Sequence, residues 1–412
     1  MKIALISESP SVATGFGVNC RHLTTLLAEL HQEVVCFGVC ALGQPFDPAR
    51  YPCRIVPMPR DQRDALKFLP AFLHDEQPDV LFIHYDLAAV CRFVEAARAG
   101  GWVGPIITHV VIDGIPTSEE YLDILRTITV SITPTHTAAN YLRSCGVAQV
   151  IAAPHPINPA VFRPLPNREE LRRAAGLAGR FVVGAFGRNV ERKQQPRVML
   201  AVQQLKLAGL AGDIVLYLHC QPKREDPWLN SWDLENVARQ LDIGDQVLFP
   251  QAGFQQLAGI PYERQPGEAG SAPTTEGARP AIPANYSYVE RLNCCDMIVN
   301  APYSGAFELV ALEGQSCGVP VAVTNDAGAM AEVVGDSAVL LDPVDVGIHS
   351  SGGRQHFVAA RTIAEAILAL QRDADLRAAL IRKGFHNAAR YTMDPLRQAL
   401  TQAVALAGSM ST

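Results

Sequence analysis

The densest chemistry in this chain lies in Ser304-Gly-Ala-Phe307-Glu308-Leu309-Val-Ala-Leu-Glu313-Gly-Gln-Ser316-Cys-Gly318-Val-Pro320-Val. The apolar run Met297–Asn300 before it reads as a strand, and Phe307–Glu313 reads as a helix that Gly318 stops. A helix N-terminus offers unpaired N–H groups to an anion, so the amides of Phe307, Glu308 and Leu309 can hold a phosphate whatever their side chains. Glu313, further into the same helix, can reach a sugar hydroxyl if that anion is a nucleotide diphosphate.

A second cluster supplies cations. Gly187-Arg188-Asn-Val-Glu-Arg192-Lys193 follows the run Phe181–Phe186, which reads as a buried strand. Arg188 and Lys193 then stand at the C-terminal edge of a parallel sheet, where open α/β sheets bind ligands. A diphosphate leaving group gains negative charge as its bond to a sugar breaks, and fixed cations stabilise that charge. A solvated charged loop is the plain alternative. Two further segments sit at strand ends. Thr14-Gly15-Phe16-Gly17 opens the first helix, where glycines serve either close ligand approach or local sterics. His109-Val-Val-Ile-Asp113-Gly114-Ile-Pro116 puts Asp113 either at a ligand-facing strand end or in an Asp-Gly turn. No P-loop, nucleophile elbow or H-E-x-x-H motif is present, which weighs against NTPase, hydrolase and metalloprotease chemistry.

The elements that must position these residues alternate strand and helix, the pattern of α/β domains built on parallel sheets. Strands are expected at Ile3–Ile6, Val34–Phe37, Val80–Ile83, Ile106–Ile112, Val130–Thr133 and Val150–Ala152. A second series is expected at Phe181–Phe186, Ile214–Leu218, Val247–Phe249, Met297–Val299, Val319–Val323 and Val339–Leu341. Cys20, Leu23, Leu27 and Leu30 recur at helical spacing, as do Val198, Val202 and Leu205 behind Pro196, a residue suited to a first helical turn. The proline-rich run Pro154–Pro164 reads as a linker, dividing the chain into 1–158, with a C-terminal helix 395–408, and 159–394. The Gly/Pro/Ser/Thr-rich segment 252–287 reads either as a disordered surface insertion or as a mobile lid or acceptor-binding loop.

Composition sets outer bounds. The 412 residues suit two domains, and 48% hydrophobic residues can fill two cores. Net charge is 35 − 41 = −6 with no Lys/Arg-rich block, which argues against sequence-independent nucleic-acid binding. None of the ten cysteines forms a paired C-x2-C, and Cys36 and Cys40, with three residues between them, have no His partner at metal spacing; buried free thiols in a reducing, cytoplasmic setting are expected. The apolar start is too short for a signal core, and no run reaches membrane-spanning length.

Together these pieces resemble the retaining glycosyltransferases of GT-B fold, in the large family 4-like group ("glycosyl transferases group 1"), over nearly the whole chain. The resemblance rests on the Thr14–Gly17 opening, the Pro154–Pro164 linker, the Gly-Arg-x4-Lys signature at Arg188 and Lys193, and Ser316–Pro320 after Glu313. It implies two doubly wound Rossmann-like domains facing across a cleft, the C-terminal helix crossing back to the first. It makes Arg188 and Lys193 ligands of the donor diphosphate and Glu313, second of the family's paired glutamates, a ribose ligand. It sets Asp113 near the reacting sugar carbon, with Gly15, Phe16, Gly17, Phe307, Glu308 and Leu309 around the donor. The first paired glutamate belongs at position 305, where this chain has Gly305; Glu308 is a candidate substitute.

The expected activity is retaining transfer of a sugar from a UDP- or GDP-sugar to a hydroxyl of a glycan, lipid or small molecule. No metal or cofactor is expected, because Arg188 and Lys193 supply the counter-charge. A modified nucleic-acid base is ranked below those acceptors. A non-catalytic sugar-nucleotide binding protein and a sugar-nucleotide epimerase stand as alternatives. Donor base, sugar, acceptor and oligomeric state are not legible in the sequence.

Overall fold

The computed structural model describes residues 1–223, 231–250 and 280–409. The chain forms two compact units. One comprises Met1–Pro156, Ile348–Arg354 and Thr392–Thr412; the other comprises Ile157–Gly347 and Gln355–Tyr391.

The first unit holds a seven-stranded sheet of β1 (Lys2–Glu8), β2 (Glu33–Val39), β3 (Arg54–Pro57), β4 (Val80–Asp86), β5 (Ile106–Val111), β6 (Val130–Thr133) and β7 (Val150–Ala152). Its order is β3-β2-β1-β4-β5-β6-β7, with every pairing parallel. A parallel sheet is covered on both faces, so its strands are continuous apolar runs; Ile3, Ala4, Leu5 and Ile6 are all fully buried. Helix α1 (Gly15–Glu29) is started by Thr14, whose hydroxyl accepts from the Gly17 amide at 3.0 Å. The apolar stripe of α1 packs with Ile3 and Leu5 and with the stripe Leu396, Ala399, Leu400 and Ala403 of the C-terminal helix Met393–Gly408.

The second unit holds β8 (Phe181–Phe186), β9 (Ile214–His219), β10 (Val247–Leu248), β11 (Met297–Asn300), β12 (Val321–Thr324) and β13 (Val339–Leu341), in the order β10-β9-β8-β11-β12-β13 and again parallel. Helix α2 (Gln195–Leu207) follows β8 with a proline in its first turn and buries Val198, Val202 and Leu205 against the sheet. In both sheets the strand order reverses, between β1 and β4 in the first and between β8 and β11 in the second. Connections leave in opposite directions at such a point and open a crevice at the strands' C-terminal ends.

The structure corrects several boundaries. The short edge strand β3 has only Ile55 and Val56 as an apolar signal, and pairing with β2 defines it. The two-stranded sheet β14 (Pro343–Ile348) and β15 (Arg354–Val358) was likewise not expected from the sequence. The helix expected over Phe307–Glu313 runs instead over Leu309–Ser316, because Glu308 takes a left-handed φ of +61° and cannot sit inside a right-handed helix. Strand β12 starts at Val321 rather than Val319. Pro320 has no N–H to donate, though its carbonyl accepts from the Ile298 amide at 2.9 Å. Of the segment 252–287, read from the sequence as a disordered surface insertion or a mobile lid or acceptor-binding loop, residues 252–279 lie outside the described residues. Its last part is packed, not open: Ile282 and Tyr286 are buried, and the Tyr286 hydroxyl donates to the Leu171 carbonyl at 2.9 Å. Ser287 and Glu290 then form a reciprocal capping box on helix α3 (Tyr288–Asn293). Polar composition averaged over the segment conceals these anchors.

Candidate functional site

The crevice of the second unit is bordered by the connection from β8 to α2, residues 187–194, and by residues 301–308 between β11 and the helix Leu309–Ser316, here α4. The two segments are tied together. The Tyr303 amide donates to the Arg192 carbonyl at 3.0 Å, and the Arg192 guanidinium donates to the Ser304 carbonyl at 2.9 Å. Between them lies the carboxylate of Glu308. It accepts from Lys193 Nζ at 2.5 Å, from Asn300 Nδ2 at 2.9 Å and from Arg192 at 3.2 Å. Burial alone would push this carboxyl up, but the Lys193 and Arg192 charges outweigh it and hold it down at about 2. Glu308 is therefore ionised throughout the neutral range.

Gly305 follows from this arrangement. A Cβ there would lie 2.5 Å from Glu308 Oε1 and 2.9 Å from Met330 Sδ. The volume that a side chain at 305 would take is filled by the carboxylate of residue 308.

Lys193 and Glu308, both candidates from the sequence, thus meet directly. Arg188 lies in the same connection with its residue exposed and its carbonyl held by the Gln195 side chain at 2.8 Å. The Phe307 ring faces inward, packed edge-on to Tyr391 at 5.6 Å, so only its backbone is suited to a ligand. Leu309 packs beside the same core. Arg192 and Asn300 were not singled out from the sequence. Arg192 stood inside the basic motif beside Lys193, whereas nothing in the sequence linked Asn300, at the end of β11, to that motif.

Glu313 sits on α4, 6% exposed, and accepts from the Tyr288 hydroxyl at 2.8 Å. Burial pushes its carboxyl up to about 7, and the Tyr288 bond offsets part of that rise. Beside Tyr288, the rings of Phe186 and His219 lie at 5.7 Å and 5.4 Å, from the ends of β8 and β9. Arg291 donates to the Tyr217 hydroxyl at 3.0 Å, and that hydroxyl shares a hydrogen bond with His219 Nδ1 at 2.7 Å. Burial and then Arg291 push the His219 pKa down to about 3, so the ring stays neutral. A carboxylate, a phenol and a neutral imidazole so grouped can hydrogen-bond a diol, while the Phe186 ring is packed into the core beside them.

In the first unit, Gly15, Phe16 and Gly17 open α1. The Phe16 ring packs on His84 at 5.2 Å and on Tyr85 at 5.3 Å. A Cβ at Gly17 would meet the Val12 carbonyl oxygen at 2.3 Å, so this glycine has a steric reason in the fold itself. Thr14 also hydrogen-bonds the Glu8 carboxylate at the end of β1. The His84 and His109 rings, register partners on β4 and β5, stack at 4.8 Å, and His84 Nδ1 donates to the His109 carbonyl at 3.0 Å. Burial keeps both imidazoles neutral, that of His84 at about 4. Asp113 lies two residues beyond the end of β5, at the strand end expected from the sequence. Among the described residues, no cluster of three or more His, Cys, Asp or Glu side chains could hold a metal ion.

No protein-family model matches the sequence, and no curated protein sequence matches it. Its fold is shared with solved structures along almost their full length. HepE from Anabaena in complex with UDP-glucose superposes with a TM-score of 0.68 at 15% identity, covering 98% of this chain and 99% of that one. Sucrose-phosphate synthase from Thermosynechococcus elongatus gives 0.68 at 18% identity, covering 98% of each chain. An α,α-trehalose-6-phosphate synthase from Burkholderia multivorans gives 0.65 at 14% identity, covering 100% of this chain and 99% of the other. The two parallel-sheet units are those of the GT-B fold, as the sequence led us to expect.

Proposed function

We propose that this protein is a glycosyltransferase that takes a sugar from a nucleoside diphosphate sugar, with UDP-glucose the first donor to test. The observation that carries the reading is the pair Lys193 and Arg192, drawn together at the switch point of the second sheet. Support comes from similar structures that hold UDP or UDP-glucose. In this reading Lys193, Arg192 and Arg188 stabilise the diphosphate as it departs. Glu313 and Tyr288 bind the ribose diol, and the rings of Phe186 and His219 border the base.

Transfer proceeds with retention. The bond between the anomeric carbon and the phosphate oxygen breaks, its electron pair leaving with the diphosphate. The acceptor oxygen bonds to the same face of that carbon, and its proton passes to the departing phosphate oxygen. This route uses no enzyme nucleophile and takes its positive charge from basic side chains rather than a metal. The acceptor is a hydroxyl of a glycan, lipid or small molecule. Gly305 favours a binding-only protein only if its place is empty, and Glu308 fills that place.

The test is calorimetric titration with UDP, GDP and their glucose conjugates, then turnover with and without an acceptor panel. The expected result is one preferred base, at least about tenfold weaker binding in Lys193→Ala, and nucleotide release that depends on acceptor. Product from the donor alone would point to an epimerase. Absence of binding by the unmutated protein would sink the reading.

A further inference from the structure

Glu308 carries more than the filling of a gap. Its backbone is held in the left-handed region at φ +61°, which side chains other than glycine's adopt at a cost. Its carboxylate is nevertheless buried, taken up by two cations and an amide. A carboxylate between a lysine and an arginine presents to them the oxygens that a phosphoryl group would present.

We propose that Glu308 is a specificity-determining residue that serves as an internal anion: its carboxylate engages Lys193 and Arg192, and an incoming diphosphate must compete with it for them. The identity of that diphosphate as part of a nucleotide sugar rests on the function proposed above; the competition itself does not. Within the Glu308–Lys193–Arg192 contact itself, one carboxylate faces two cations. A ligand of single negative charge gains little there, whereas a diphosphate brings enough charge and enough oxygens to take over the cations. Gly305 belongs to the device, because any side chain at 305 forces Glu308 Oε1 away from its position.

Two perturbations act on this one contact. Glu308→Gln removes the charge and keeps the shape. Gly305→Ala leaves the charge and displaces the carboxylate. The full-length chain, each variant and the double variant are titrated calorimetrically with inorganic pyrophosphate and with UDP, after circular dichroism and a thermal melt have confirmed folding. Each single variant is expected to bind pyrophosphate about tenfold tighter than the parent, and the double variant no tighter than Glu308→Gln, because the two act through one interaction. A merely structural role for Glu308 predicts the opposite sign, since a disordered Lys193 binds anions less well. Equal or weaker binding in the folded single variants, additive effects in the double variant, or no pyrophosphate binding by any of the proteins overturns the inference. If Glu308→Gln does not fold, the sign of the change in Gly305→Ala decides. Tighter pyrophosphate binding without UDP binding upholds the inference and removes the nucleotide reading. UDP and pyrophosphate affinities that do not change from one of the four proteins to the next, with UDP the tighter ligand, remove the inference and leave that reading standing.

Discussion

Glu313→Gln should make the protein more stable, and the gain should depend on pH. The carboxyl is buried on α4, and burial raises its pKa from 4.5 to about 7. A carboxyl whose folded-state pKa lies above its unfolded value contributes no penalty below the unfolded value. The penalty grows between the two values and is complete above the folded one. Each pKa unit is worth about 1.36 kcal/mol. The penalty therefore comes to about 1 kcal/mol at about pH 5 and about 3 kcal/mol at about pH 8. Glutamine has nearly the same shape, cannot ionise, and can still accept from the Tyr288 hydroxyl. The variant should thus match the parent near pH 4 and exceed it by about 3 kcal/mol at pH 8, a rise of about 6 to 12 °C in the transition of a domain of this size. Scanning calorimetry of both proteins at pH 5 and pH 8, without nucleotide, measures this. A gap that does not widen with pH, or a variant less stable at pH 8, would refute the argument, because either result means that the carboxylate is solvated or paired with a cation.

Glu308 should show the opposite slope. Its folded-state pKa is depressed to about 2, so its contribution is complete above about pH 4.5 and disappears as pH falls toward 2. Urea titrations between pH 5 and pH 2.5 should find a loss in the parent about 2 kcal/mol greater than in Glu308→Gln; parallel acid profiles would count against the buried ion pair. Gly17→Ala should destabilise the first unit by about 2 kcal/mol or more, since the new methyl meets backbone oxygens of Val12 and Ser9 that no rotamer change can move. A thermal melt within about 1 °C of the parent would show that the opening loop shifts freely.

How far the sequence could be read varied with the kind of physics involved. The parallel strands were legible because strands buried on both faces must be continuous apolar runs. Phe181–Phe186 and Val130–Thr133 have the boundaries their composition implies. The strands β14 and β15 were missed although Val344, Val346 and Ile348 alternate at strand period; those side chains are exposed, and the two strands pair only with each other, outside the large parallel sheets. Lys193 and Glu313 were identifiable as candidates because fixed spacing ties them to strand ends. The states of Glu313 and Glu308 were not identifiable, since a pKa depends on burial and on neighbours distant in sequence: Tyr288 for Glu313, and Lys193, 115 positions away, for Glu308.

Position 305 shows the division most clearly. The sequence could say only that a glycine stands where the resemblance leads one to expect a glutamate. That the glycine makes room for a carboxylate three residues later depends on one positive φ, which turns Glu308 back across the loop onto Lys193. Periodicity records which face of an element is buried, and the alternation of strand and helix was therefore written in the chain. The meeting of two loops at a switch point depends on strand order, and strand order arises only when the sheet assembles.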